Sequence, residues 1–185
     1  MARSNSTDRS SRAHPRQSDR DVEKKLFGEL EAVYRDVDAV LHEDSCPATT
    51  ECCRFGITGR EPYVTSIEVA LVERGIARRG GARALGRAPK PLQQETPVRN
   101  DKRRLDMVDE EPCPLLDANG RCSVYDARPF GCRTYYCERA TRSSGLGQRD
   151  INEFVRRIKD IAARHTTGGD QGKPLRRALT SVRPR

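Results

Sequence analysis

The chain predicts a mainly α fold with a small β-hairpin, in which helices clasp cysteine-rich metal-binding loops. Three observations carry that expectation. Amphipathic helical stretches lie at about 20–42 and from about 150 onward, one Asn-Gly turn separates short apolar runs, and seven cysteines sit beside turn-forming residues. The 185 residues suit one domain with tails. With no Trp, four Phe, five Tyr and 34% charged residues, the core is thin for its length, and a metal staple would help define it.

Residues 1–18 are polar and Ser/Arg-rich and read as a disordered basic tail. The first helix follows, with Val22, Leu26, Leu30, Val33, Val37 and Val40 on one face and Phe27, Tyr34 and Leu41 widening the stripe. Asp19 and Asp21 suit the positive end of its dipole. A loop over 43–64 holds Cys46, Cys52 and Cys53. Thr65-Ser-Ile-Glu68 then reads as a capping box opening a short helix that buries Ile67 and Leu71 and stops at Gly75. Residues 76–103, rich in Arg, Gly and Pro, read as a mobile basic loop, and Arg104–Val108 as a short strand. Pro114–Val124 is the expected hairpin, with Asn119-Gly120 at its turn. Asp150-Ile-Asn-Glu153 resembles a second capping box, and Ile151, Phe154, Val155, Ile158, Ile161 and Ala162 form the buried face of the last helix. Thr, Gly, Arg and Pro content marks 165–185 as a second basic tail, which bounds the domain at 19–164.

The net charge of +8 invites a nucleic-acid reading, but most of it lies in the two tails and the centre is close to neutral. Such tails support weak contact with acidic surfaces or nucleic acid rather than base reading. No stretch approaches a membrane span, and the N-terminus lacks the apolar run of a signal peptide, so the expected location is cytoplasmic.

In a reducing compartment a set of seven cysteines points to metal or redox chemistry rather than disulfides, and the odd count agrees. Four fall in the run Cys113-Pro-Leu-Leu-Asp-Ala-Asn-Gly-Arg-Cys122-Ser-Val-Tyr-Asp-Ala-Arg-Pro-Phe-Gly-Cys132-Arg-Thr-Tyr-Tyr-Cys137, and three in Cys46-Pro-Ala-Thr-Thr-Glu-Cys52-Cys53. Pro47, Pro114 and Gly131 beside the cysteines let the backbone curl so that amide N–H groups can face sulfur. Neighbouring side chains such as Cys52 and Cys53 diverge in regular structure. A polynuclear cluster or two ions could use both; otherwise one is a ligand and the other packs inertly. The spacings do not repeat a Cys-x2-Cys pair, which argues against a zinc ribbon or finger. Arg128 and Arg133 are candidates for neutralising a thiolate-rich cofactor. His14, His42 and His165 read as solvated, and the Arg79-Gly80-Gly81-Ala82 stretch lacks the lysine and hydroxyl of a phosphate loop.

Cys52-Cys53, Cys113-Pro-Leu-Leu, Gly120-Arg-Cys122-Ser-Val-Tyr125, Arg128-Pro129 and Cys132-Arg133 together resemble the YkgJ-like cysteine-cluster family. The resemblance covers roughly Cys46 to Cys137. It implies a zinc- or iron-chelating domain, with some members called iron–sulfur proteins. The family pattern opens Cys-x2-Cys-x2-Cys-Cys, and Thr49 stands here where one thiol is expected.

These readings give a metal-binding cysteine-cluster protein, with Cys46, Cys52, Cys53, Cys113, Cys122, Cys132 and Cys137 as metal-ligand candidates. Iron, as an iron–sulfur cluster, is favoured over a zinc ion, in a structural or electron-transfer role with a redox partner protein. One alternative is a cluster-dependent oxidoreductase or protein-modifying enzyme, although no nicotinamide, flavin or methyl-donor signature accompanies the cysteines. The other is a nucleic-acid-associated protein acting through its tails.

Overall fold

The computed structural model describes residues 17–41, 51–81, 111–117, 119–134, 146–166 and 170–181. Helix α1 spans Gln17–Val40, α2 Phe55–Thr58, α3 Ser66–Arg78, α4 Phe130–Thr134, α5 Gln148–His165 and α6 Leu175–Ala178. Strands β1 (Tyr63–Val64) and β2 (Lys173–Pro174) pair antiparallel, Tyr63 opposite Pro174 and Val64 opposite Lys173. The fold is mainly α with a small antiparallel β element, as the sequence predicts. Its two strands, however, join distant parts of the chain.

Two apolar clusters divide the interior. The first is formed by Leu26, Phe27, Leu30, Val33, Tyr34 and Val37 of α1, Ile67 and Leu71 of α3, Phe130, and Ile158, Ile161 and Ala162 of α5. The i, i+4, i+7, i+8, i+11 steps from Leu26 produce this stripe. Val22 and Val40, assigned to the same face from the sequence, are exposed, at 56% and 42%. Ion pairs rim the α1–α5 contact, with Arg157 on Asp36 at 2.7 Å and Arg164 on Glu29. The second cluster takes the other side of α3, through Val72 and Ile76, and adds Phe55, Val64, Cys113, Leu115, Leu116, Val124, Leu175 and Leu179. Helix α3 therefore serves both clusters.

Several local expectations shift by a turn. The α3 capping box forms as predicted, with Thr65 at the N-cap and Glu68 reaching back. The helix continues through Gly75 to Arg78, because Gly75 is there for space: a Cβ would lie 3.1 Å from Ala127 Cβ and 3.3 Å from Val124 Cγ1. At α5, Asp150 is the third helical residue and accepts from Gly147 N at 3.0 Å, while Glu153 pairs with Arg156 instead of capping. The hairpin forms around Gly120, whose φ of 72° supplies the left-handed turn, with a bridge between Leu116 and Cys122. Asp117 stabilises that turn by accepting from Asn119 N and Arg121 N at 2.9 and 2.8 Å.

The largest departure is at 165–185, expected as a tail. Residues 170–181 instead fold back over the second cluster. Leu175 and Leu179, spaced i, i+4, fill it, and Leu175 N donates to Pro62 O at 2.9 Å. Arg176 Nη2 meets Glu61 at 3.2 Å and Glu111 at 2.9 Å. Asp170 accepts from Ser66 N at the start of α3 and from Gly172 N at 2.8 Å. His165, read as solvated, is half-buried with Nδ1 2.8 Å from Ser66 Oγ. Two well-placed leucines outweigh a composition that otherwise signals fraying. The expected tail over 1–16, the loop beyond residue 81 and the strand at Arg104–Val108 lie outside the described residues. Among the described residues, no helix is long and apolar enough to cross a membrane.

Candidate metal centre

Five of the seven candidate cysteines lie in described residues, and four local elements deliver them. A 3-10 turn over Glu51–Cys53 carries Cys52 and Cys53. The chain after it runs antiparallel to 111–113, where Arg54 bridges Pro112, Phe55 N donates to Glu111 O at 3.2 Å, and Cys113 N donates to Cys53 O at 2.7 Å. Glu111 adopts a φ of 40°, uncommon for a residue with a Cβ, at the point where this zipper begins. The hairpin places Cys122 opposite Leu116. Helix α4 supplies Cys132, whose N–H bonds to Pro129 O at 2.9 Å. Cys46 and Cys137 lie outside the described residues.

Cys113 is buried within the second cluster, and Cys53, Cys122 and Cys132 pack against that cluster while partly exposed. Cys52 Sγ is 3.9 Å from Cys53 Sγ. This corrects the expectation that neighbouring thiols diverge: the two sulfurs approach each other although their residues are adjacent in a 3-10 turn. Two sulfurs sharing one tetrahedral ion with metal–sulfur bonds of about 2.3 Å would lie about 3.8 Å apart, so this pair fits one edge of such a shell.

The electrostatics of the group is that of protonated thiols. The Cys53 thiol is pushed far up, first by its hydrogen bond with Cys52, then by burial and by repulsion from Cys52, Cys113 and Cys132. Cys113 is raised to about 12, chiefly by burial, with a backbone hydrogen bond from Leu115 opposing and Cys122 and Cys52 adding to the rise. Burial also dominates at Cys132, with Cys113, Cys122 and Cys52 adding to it. Cys122 is raised by burial but opposed by the Val124 backbone and by the positive charges of Arg128 and Arg79. Cys53, Cys113 and Cys132 thus each feel neighbouring thiols as potential like charges. Among the described residues, no group of three or more His, Cys, Asp and Glu side chains is set to hold a metal ion.

The two arginine candidates separate. Arg133 is buried and committed to structure: it pairs with Asp38, donates to Asp126 O at 2.5 Å and Arg128 O at 3.0 Å, and lies 4.4 Å over the Tyr34 ring. Arg128 stacks on Tyr125 at 4.0 Å and leaves its Nε buried with no acceptor. A buried donor beside Cys122 suits a thiolate or a sulfide. Thiolate-rich chemistry, the Cys52–Cys53 edge and this orphaned donor fit a zinc or iron centre. The sequence reading did not include Arg79 among the charges at the thiols, because proximity to Cys122 across the fold leaves no local signal.

No curated protein and no solved structure matches the chain. A family model named CxxCxxCC and described as "Putative zinc- or iron-chelating domain" matches residues 44–155, a span that contains all seven cysteines. With more than half of its length covered by that match, the chain belongs to the CxxCxxCC family.

Proposed function

We propose that the protein chelates iron or zinc through cysteine thiolates in a structural or electron-transfer role. Cys52, Cys53, Cys113, Cys122 and Cys132 are the donors we assign, with Cys46 and Cys137 completing the candidate set. The observation that carries this reading is the gathering of Cys53, Cys113, Cys122 and Cys132 at one apolar cluster, with Cys52 Sγ 3.9 Å from Cys53 Sγ. A bound cation supplies the positive charge that stabilises thiolates, and its binding energy then becomes folding energy. The chain's own part is to hold the thiols, screen them with Leu175 and Leu179, and set Arg128 and Arg79 beside Cys122.

Iron held as an iron–sulfur cluster is the first reading, since seven thiols exceed the four of one tetrahedral ion. A redox partner protein would follow from an electron-transfer role. A single zinc or iron ion is the second reading, favoured by the 3.9 Å Cys52–Cys53 pair. Anaerobic purification followed by iron, zinc and acid-labile sulfide analysis separates them. Iron with matching sulfide supports the first, and colourless protein with one zinc per chain the second. No metal after reconstitution with either ion would refute both.

A further inference from the structure

The most heavily engaged buried carboxylate of the described residues sits beside the cysteine cluster and belongs to none of the candidate ligands. Glu68 is 3% exposed, at the third position of α3. Its Oε2 accepts from Thr65 N and Thr65 Oγ1, both at 2.9 Å. Its Oε1 accepts from Tyr34 OH of α1 at 3.0 Å and from Phe130 N at 2.9 Å, the first N–H of the helix that carries Cys132. A capping box needs only the Thr65 bonds. The remaining two tie α1 and α4 to α3 through one side chain.

That second pair of bonds has a local consequence. Cys132 lies two residues after Phe130 in a five-residue helix, too short to hold its own direction. Glu68 fixes its first amide, while Arg133 fixes its other end through Asp38, Asp126 O and Arg128 O. Cys132 is near enough to Tyr34 and to Glu68 for charge on one to be felt at the other. A glutamine keeps one acceptor oxygen and cannot serve four donors. A carboxylate can, at the cost of burying a charge.

The geometry points to Glu68 as a positioning residue that holds Cys132 in place for metal binding by anchoring the Phe130 amide. This rests on the reading of Cys132 as a ligand. Partners that orient ligands in this way typically change metal affinity by about 10- to 100-fold when removed.

The test compares wild type, Glu68→Gln and Thr65→Val. The last disturbs the same helix cap without touching Phe130. Zn2+ affinity is read by competition with a chromophoric chelator, the Co2+–thiolate absorption band reports the ligand shell, and alkylation of the metal-free, reduced protein is followed cysteine by cysteine. Glu68→Gln is expected to bind Zn2+ about 10- to 100-fold more weakly, to shift the Co2+ band and to speed alkylation of Cys132 more than of Cys122. Thr65→Val is expected to stay within about twofold of wild type in affinity, although less stable. Wild-type affinity and spectrum in Glu68→Gln, or an equal loss in Thr65→Val, would overturn the role. Should the glutamine variant not fold, Glu68→Asp is read in the same assays, with the same loss expected. A variant-free arm is native-state hydrogen exchange of wild type, in which the Phe130 amide must be protected like that of Thr65; rapid exchange there overturns the anchor. Failure of wild type to take up Zn2+ or Co2+ overturns the metal reading itself, and this role with it. Uptake by wild type with an unaffected Glu68→Gln overturns the role alone.

Discussion

Leu175→Ala is the sharpest probe of how the C-terminal segment holds the cysteine cluster. Leu175 is fully buried, and its side chain closes the second apolar cluster beside Cys113, Val64 and Val72. Truncation removes about 1.5–3 kcal/mol of burial, and the cavity left behind adds to this. Measured Leu→Ala costs of about 2.7–5 kcal/mol set the range, and about 3 kcal/mol is expected. Against a total stability of about 5–15 kcal/mol, such a loss is large. Urea unfolding of the metal-free, reduced protein, followed by circular dichroism, gives the value directly if the m-value is unchanged. The same variant should expose Cys113, whose alkylation in native buffer should rise with the loss of cover. A cost below about 0.5 kcal/mol, as for an ordinary surface substitution, would refute the packing of 170–181 against the thiols.

Gly172→Ala should destabilise by about 1–2 kcal/mol, because Gly172 has a φ of 74° and an added Cβ would meet Val64 O at 3.4 Å; a neutral effect in thermal melts would place the turn elsewhere. Asp170 is held below its ordinary value of 3.8: burial opposes this, but the Ser66 and Gly172 N–H groups outweigh it. Its contribution is therefore present above that value and lost as pH falls through the lower folded one. Asp170→Asn should cost about 1 kcal/mol at neutral pH and flatten the acid limb of the stability curve, and an unchanged limb would contradict the Ser66 contact. Metal uptake should release protons, since raised thiols such as Cys113, at about 12, must deprotonate to bind. Calorimetry in buffers of different ionisation enthalpy counts them. Affinity should rise with pH, and zero release would rule out thiolate ligation. Saturation at about 1,000 times Kd should raise stability by about 4 kcal/mol, to be read as a higher melting temperature that a chelator reverses.

What the sequence made legible was whatever one stretch of chain decides by itself. The periodicity of Leu26 to Val37, the Thr65–Glu68 cap and the Gly120 turn each follow from neighbours in sequence, and each forms. Gly75 was misread as a helix end because its crowding by Ala127 and Val124 comes from over 40 residues away, a distance along the chain that no local pattern encodes. The fold-back of 170–181 is of the same kind: Lys173 and Pro174 have no strand character until Tyr63 and Val64 supply the partner. At the centre, the cysteine pattern named the candidate thiols, while the 3.9 Å approach of Cys52 and Cys53 is a matter of side-chain placement that their adjacency did not reveal. Glu68 was legible as a cap and illegible as an anchor for Phe130, which lies 62 residues on.

The division of the interior into two clusters has a consequence for the metal. The first cluster, built from α1, α3, α5 and Phe130, carries no thiol among the described residues, and its Tyr34 hydroxyl is bonded to Glu68. The second mixes leucine and valine with cysteine, and neutral thiols pack there as small hydrophobes. Deprotonating them without a cation would bury several negative charges side by side, which the low dielectric of a packed cluster opposes. The second cluster is thus compatible with two states, protonated thiols packed as core or thiolates around a metal, and not with bare thiolates. The first cluster has no such alternative. Helix α3 belongs to both, with Ile67 and Leu71 in one and Val72 and Ile76 in the other, and Glu68 sits among these residues with bonds to α1 and α4. Helix α3, the Glu68 carboxylate and Arg133, through its contacts with Asp38 and Tyr34, thus join the thiol cluster to the first cluster, where no group has to change its charge for a metal to bind.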